Sequence, residues 1–169
     1  MNCIITIELG TNAVRIAAFD LIGTPIGSKK GSYPTFHDKP DYSEQDPEQM
    51  FITMLYVLKN LINECVNPKK YKVSCICFSS SMHSLLAVDK NGVPLGNAIT
   101  WADNRGKKEA SELKSSELGR EIYAATGTPI HPMSPLVKIA WIKNNDPERF
   151  SQTKKFLSVS LFCVQNSLT

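Results

Sequence analysis

Short apolar runs separated by turn residues open the chain. Residues 2–8 (NCIITIE) and 13–20 (AVRIAAFD) are rich in strand-forming side chains, and Gly10-Thr11-Asn12 between them reads as a hairpin turn. A second turn around Gly23 leads into a more polar third strand over 25–33. Three consecutive antiparallel strands are therefore expected first. Residues 34–46 are polar and Pro-containing, so they read as a loop. Asp46-Pro47-Glu48-Gln49 then starts a helix: Asp46 can cap it, Pro47 suits the first helical position, and Gln49 sits three residues past the cap. Met50, Met54, Leu55, Leu58, Leu61, Ile62 and Cys65 recur at helical spacing and predict an inward stripe that ends before Pro68.

The second half alternates. Residues 72–78 (KVSCICF) are apolar at both strand parities, which predicts a central strand. Residues 84–89 and 93–99 flank Lys90-Asn91-Gly92, a strong hairpin signal. After Trp101 the pattern turns helical, over about 104–118 and 120–125. A Pro-rich loop at 126–135 precedes a helix over about 135–144 that turns Ile139 and Ile142 inward, and Asp146-Pro147-Glu148 repeats the capped start. The last stretch, FLSVSLFCVQNSLT, reads as a strand followed by an apolar run with nothing after it to close the domain. Strands first, then alternating helices and strands, predict an α/β layered domain, here truncated.

Composition narrows the class. The 169 residues suffice for one domain with a real core; 42% are hydrophobic and 21% charged, as in a globular chain. The net charge of +3 comes from scattered pairs such as Lys29-Lys30 and Lys107-Lys108, which read as solvated surface rather than a nucleic-acid face. Five cysteines show no disulfide-framework spacing, which favours a reducing compartment. Cys75 and Cys77 share one face of a strand. Half a metal site is one reading, and a pair of small buried residues is the favoured one, since no second Cys or His pair has zinc spacing. The N-terminus lacks a leader pattern, and no apolar run approaches the ~18 residues of a membrane span. The expectation is a cytoplasmic protein with no membrane partner.

Four segments can carry chemistry. The Gly10-Thr11-Asn12 turn can offer backbone N–H groups and a hydroxyl to an anion, and Glu8 beside it is a candidate metal ligand; by pattern alone an ordinary hairpin explains it better. Ser79-Ser80-Ser81-Met82-His83-Ser84 follows a strand, at the end of an open sheet where ligands bind; a polar surface loop is an equal reading. Trp101-Ala102-Asp103-Asn104-Arg105 joins an aromatic face, a carboxylate and a guanidinium, a set that can hold a polyol. A helix cap with an exposed arginine is the plainer alternative, though burial of Trp101 would then need a reason. Lys138 lies among apolar helix positions, where packing with the amine snorkelling to solvent is the simple reading.

In this order and spacing, the segments resemble the N-terminal domain of the FGGY carbohydrate kinases. Glu8-Leu9-Gly10-Thr11 looks like that family's Asp-x-Gly-Thr phosphate turn, and Tyr42-Ser43-Glu44-Gln45-Asp46-Pro47 is similar to its segment before the first helix. Ser81-Met82-His83 corresponds to its Met-His sugar loop, Trp101-x-Asp103-x-Arg105 to its Trp-x-Asp-x-Arg segment, and residues 133–145 to its first signature pattern. The resemblance implies a ribonuclease H-like, actin-like ATPase fold with a mixed sheet and flanking helices. It implies an N-terminal sugar-binding domain over 1–169, incomplete, with the nucleotide domain absent. It also implies transfer of the γ-phosphoryl of Mg2+-ATP to a sugar hydroxyl. Ser81, Met82, His83, Trp101, Asp103 and Arg105 would then bind sugar; Gly10, Thr11 and Asn12 would face ATP phosphates; Glu8 would stand on the Mg2+ side. The general base, an Asp, is expected beyond residue 169, so this chain alone should not turn over. The loops resemble the gluconate kinase branch most, with a sugar acid as substrate; xylulose- or glycerol-type kinases and a non-catalytic sugar-binding module are the alternatives. The whole enzyme could be a homodimer. Glu8 departs from the family's Asp and Asn12 from its usual hydroxyl residue.

Overall fold

A computed structural model describes residues 1–167. In chain order the elements are β1 (Asn2–Leu9), β2 (Ala13–Asp20), β3 (Pro25–Ser32), β4 (Glu44–Gln45), α1 (Pro47–Leu61), β5 (Lys72–Ser80), β6 (Leu86–Val88), β7 (Ala98–Ile99), α2 (Lys107–Ser115), α3 (Glu117–Thr126), α4 (Pro135–Asn145), α5 (Pro147–Gln152), β8 (Lys155–Leu157) and α6 (Val159–Ser167). They fall into two compact units. The first holds residues 1–35, 46–81 and the segment from Val159 onward; the second holds 36–45 and 82–158.

The first unit is a mixed sheet in the order β3-β2-β1-β5. β1, β2 and β3 are antiparallel neighbours, as the turn residues predict, and β5 joins β1 in parallel. Period-2 alternation puts Cys3, Ile5, Ile7 and Leu9 on the buried face, with Val14, Ile16 and Ala18 of β2. α1 lies over that face. Its start is the expected one: Asp46 Oδ1 accepts the N–H groups of Glu48 and Gln49 at 2.9 and 3.1 Å. Met50, Met54, Val57 and Leu61 are its buried stripe. Gly31 lets β3 approach α1, since a Cβ there would stand 2.6 Å from the Val57 side chain. α1 continues through a wider turn over Ile62–Val66 and a last tight turn, and Lys70 closes it in the left-handed region at φ 56°.

Several expectations change in this unit. β5 is an edge strand among the described residues, not a central one, and Val73 and Ile76 are about two-fifths exposed. An apolar run at both parities reports which faces could be covered; it does not supply the neighbour that covers them. Cys75 and Cys77 are consequently exposed rather than buried. Leu55, read as inward, is 41% exposed and lines a groove with Phe51, Leu58, Ile76, Phe78 and Val164. The closing apolar run forms α6, whose Phe162 packs edge-on against Phe51.

The second unit is built on small sheets, β4 with β7 and β6 with β8, and on helices α2 to α5. Leu85, Ile99 and Ile142 form its buried centre, with Ile139, Trp141, Phe150 and Phe156 packed around it. The Asn-Gly turn is present: Asp89 Oδ1 accepts from Asn91 and Val93, and Gly92 takes φ 84°. The strands beside it are shorter than expected. β6 takes β8 as its main partner, leaving only a single bridge from Val88 to Pro94. β4 lies inside the segment read as a loop. α2 runs over 107–115 rather than 104–118, and Ser116 breaks the run: its hydroxyl caps α3 by accepting from Gly119. Asn145 at the end of α4 donates to Glu109 of α2, tying the two helices at 3.0 Å.

Candidate functional site

In the first unit the polar turn between β1 and β2 is held from three sides. Gly10 N–H donates to Ala13 C=O at 3.0 Å, which closes the hairpin. The buried Tyr33 hydroxyl donates to the Gly10 carbonyl at 2.5 Å. Ser81, at the end of β5, donates its N–H to Leu9 C=O at 2.9 Å, and its hydroxyl lies 3.4 Å from that of Thr11. Gly10 is needed for space: a Cβ there would meet the Ala13 carbonyl at 3.1 Å and the Arg15 guanidinium at 3.3 Å. Burial raises the Tyr33 phenol well above its usual range, so it stays a donor at any ordinary pH. The structure thus brings Ser81, expected in the sugar loop, against the Gly10-Thr11-Asn12 turn.

Glu8 projects from the exposed parity of β1 and pairs with Arg15 across the hairpin at 3.2 Å, both about half exposed. Sequence reasoning missed Arg15; its signal was the register of an eight-residue hairpin, which sets residues 8 and 15 opposite each other. No group of three or more His, Cys, Asp or Glu side chains that could hold a metal occurs among the described residues. Glu8 therefore fits Mg2+ only as a single carboxylate, direct or through water, with a nucleotide supplying the other oxygens.

In the second unit, Asp103 and Arg105 come together, but inward. Asp103 is 1% exposed. Its two oxygens accept the Ser43 N–H at 2.7 Å, the Arg105 backbone N–H at 3.1 Å, and Arg105 Nε and Nη2 at 2.7–3.0 Å. Arg105 Nη2 also pairs with Glu44 at 2.6 Å. The guanidinium lies over the Tyr42 ring at 3.6 Å and near the Trp141 ring at 5.0 Å, and these two rings meet edge to face. Burial works against the charge on Arg105, but the hydrogen bonds to Asp103 and Glu44 outweigh it and raise its pKa. Thr100 fastens the same strip, donating to the Ser43 hydroxyl at 2.7 Å.

Asp103 and Arg105, expected among the sugar-binding residues, are thus largely engaged with each other, Ser43 and Glu44. The Asp103 oxygens and the Arg105 Nε and Nη2 groups form a buried clamp. Sequence reading placed Tyr42, Glu44 and Trp141 in familiar segments but gave them no role. Only proximity across the fold, from residue 42 to 105 to 141, reveals it.

What faces outward is the rest of the set. Met82 is 71% exposed and Trp101 is 45% exposed, as a ring offered to a ligand requires. His83 is half-buried and takes the left-handed backbone region at φ 62°, uncommon for a side-chain-bearing residue. Its carbonyl accepts a hydrogen bond from Lys138 Nζ. Lys138 does not snorkel: it is fully buried, and burial lowers its pKa to about 8, with Asp103 opposing and Arg105 adding to the shift. Ser134 caps α4, and Pro135 occupies its first position, which fixes where Lys138 enters. The strained loop is thus pinned from below by an amine that cannot reach water.

A Gly-Thr hairpin turn, a strand end followed by Ser81, a Met-His loop and an exposed tryptophan are the parts expected of a sugar kinase's N-terminal domain. The sequence pattern of the FGGY family of carbohydrate kinases, N-terminal domain, matches residues 3–167. The chain belongs to that family. A gluconokinase of Bacillus subtilis (strain 168) is 39% identical to it over 153 residues, which is 90% of this chain and 29% of that protein. Among solved structures, a ligand-bound xylulose kinase from Lactobacillus acidophilus superposes with a TM-score of 0.92 at 31% identity, covering 98% of this chain and 33% of that one. A gluconate kinase from the same organism superposes at 0.88, also at 31% identity, over 96% of this chain and 33% of that one. This FGGY chain thus spans about a third of the length of the relatives it matches. Its mixed sheet with flanking helices is the actin-like ATPase fold of those kinases. No helix among the described residues is long and apolar enough to cross a membrane.

Proposed function

We propose that this chain is the N-terminal, sugar-holding part of an ATP-dependent kinase that phosphorylates a small polyhydroxy acid, D-gluconate, to 6-phosphogluconate. The observation that carries the reading is the exposure of Met82 and Trp101, with the His83 backbone held by Lys138 and the Asp103–Arg105–Glu44 clamp in the same unit. Gluconate is favoured over other sugars by the 39% identity to a gluconokinase. The Trp101 ring covers C–H faces of the substrate, and Met82 and His83 border it. With Arg105 committed to two carboxylates, His83 is the better partner for the gluconate carboxylate. Asp103 and Arg105 act as positioning residues.

Mg2+-ATP supplies the phosphoryl group when bound. The backbone of Gly10, Thr11 and Asn12 faces its phosphates, with the Ser81 and Thr11 hydroxyls beside them, and Glu8 meets the metal through water. The general base lies outside residues 1–169, so the chain alone binds sugar without turning it over. A cytoplasmic setting and a homodimeric whole enzyme complete the reading. A xylulose-type acceptor is the second reading, favoured by the higher TM-score to the xylulose kinase.

A chimera tests both. This chain replaces the matching segment of the Bacillus subtilis gluconokinase, and Mg2+-ATP-dependent phosphorylation is assayed on gluconate, xylulose and glycerol. Turnover on gluconate, with KM raised at least tenfold by Trp101→Ala, supports the proposal. Turnover on xylulose instead moves it to the second reading. A folded chimera without turnover on any sugar favours a non-catalytic sugar-binding module.

A further inference from the structure

We propose that Cys75 and Cys77 form a two-sulfur site that takes one soft, thiophilic centre of the trivalent arsenical class through both thiols. The inference does not rest on the kinase reading. Both cysteines sit on β5, two apart, so they share one face of the sheet. That strand is an edge among the described residues, and both side chains are exposed. The register between β1 and β5 slips at Cys3/Ile4, leaving Ser74 as an extra residue just before Cys75. Such irregularities re-aim the side chains that follow them.

The two sulfurs lie 3.7 Å apart. Trivalent arsenic is pyramidal, so two sulfurs each ~2.3 Å from it at an angle of roughly 95° stand about 3.4 Å apart, and the pair chelates by closing a few tenths of an ångström. The number of ligands decides the class. Structural zinc wants four, and no group of three or more metal-binding side chains occurs among the described residues. A trivalent arsenical brings its own third substituent and is satisfied by two sulfurs. The remaining thiols do not compete as pairs: Cys3 and Cys163 are fully buried, and Cys65 is partly buried. The two thiols share a hydrogen bond, which raises the Cys77 pKa and favours the thiol form of that member of the pair. Phenylarsine oxide then condenses with the pair: two As–S bonds form, the arsenic-bound oxygen leaves as water with the two thiol protons, and arsenic stays trivalent.

The test uses the native chain and stoichiometric phenylarsine oxide, read by intact mass, with alkylation mapped by peptide. The expected result is one adduct per chain that survives a hundredfold excess of a monothiol, is released by 2,3-dimercaptopropanol, and protects Cys75 and Cys77 together from iodoacetamide. Cys75→Ser and Cys77→Ser each lose the monothiol-resistant adduct, while Cys65→Ser keeps it. An adduct stripped by monothiol, or one retained in either Cys75→Ser or Cys77→Ser, overturns the proposal. The protection map of the unmodified chain decides the matter should a variant fold poorly.

Discussion

Two arginine–carboxylate pairs in this chain look alike as lists of contacts and differ in everything that matters. Arg15 and Glu8 bridge the first hairpin in the open, with side chains 56% and 52% exposed. Arg105 with Asp103 and Glu44 is buried to 3%, 0% and 19% of side-chain exposure, floored by Tyr42 and flanked by Trp141. In the open, water screens the charges and the pair adds little. In the interior, each charge depends on its partner, because neither has water to fall back on. The exposed pair is free to meet a ligand; the buried one shapes the surface that a ligand meets.

That contrast breaks most sharply at Asp103. Asp103→Ala leaves the Arg105 guanidinium buried and half-paired and the Ser43 N–H without its acceptor. Unfolding free energy from urea denaturation should fall by about 3–5 kcal/mol. A loss below about 1 kcal/mol would place the clamp in the same class as Glu8–Arg15. Lys138→Met comes next. It strips the His83 carbonyl of its donor, a cost of about 1–3 kcal/mol, offset in part by removing a buried charge. Its signature is the pH dependence. The folded pKa of Lys138 is lowered to about 8 from 10.5, so between these values the unfolded chain holds more protons and wild-type stability rises with pH. Urea midpoints measured across that window should show the rise in wild type and its absence in Lys138→Met. Asp46→Ala removes the cap of α1 and should lower the urea midpoint by the equivalent of about 1 kcal/mol. Glu8→Gln is the smallest effect, within about 1 kcal/mol and further reduced in high salt. Thermal melts of that variant at low and high ionic strength check it.

The cysteines teach a similar lesson from another face of the molecule. Cys3 and Cys75 lie on neighbouring strands of one sheet, yet one is fully buried and the other exposed. Their local sequences are equally apolar. The difference lies in whether another layer covers that face, and no local pattern records it.

What the sequence determined by itself was whatever depends on neighbours along the chain. The hairpin around Gly10-Thr11-Asn12, the three antiparallel strands, the Asp46 and Asp146 helix starts and the Asn91-Gly92 turn follow from short-range sterics and capping. So does the order of the motif-bearing segments that marks the family. Only the tertiary structure decided which groups in those segments face outward. It turned Asp103 and Arg105 into a buried clamp, sank Lys138 beneath the His83 loop, left Trp101 and Met82 open, and put β5 at an edge among the described residues. The reason is physical. A side chain's role in binding depends on which of its polar atoms are already satisfied, and here the partners come from residues 42 to 44, 83 and 141, brought together only by the packing of distant segments.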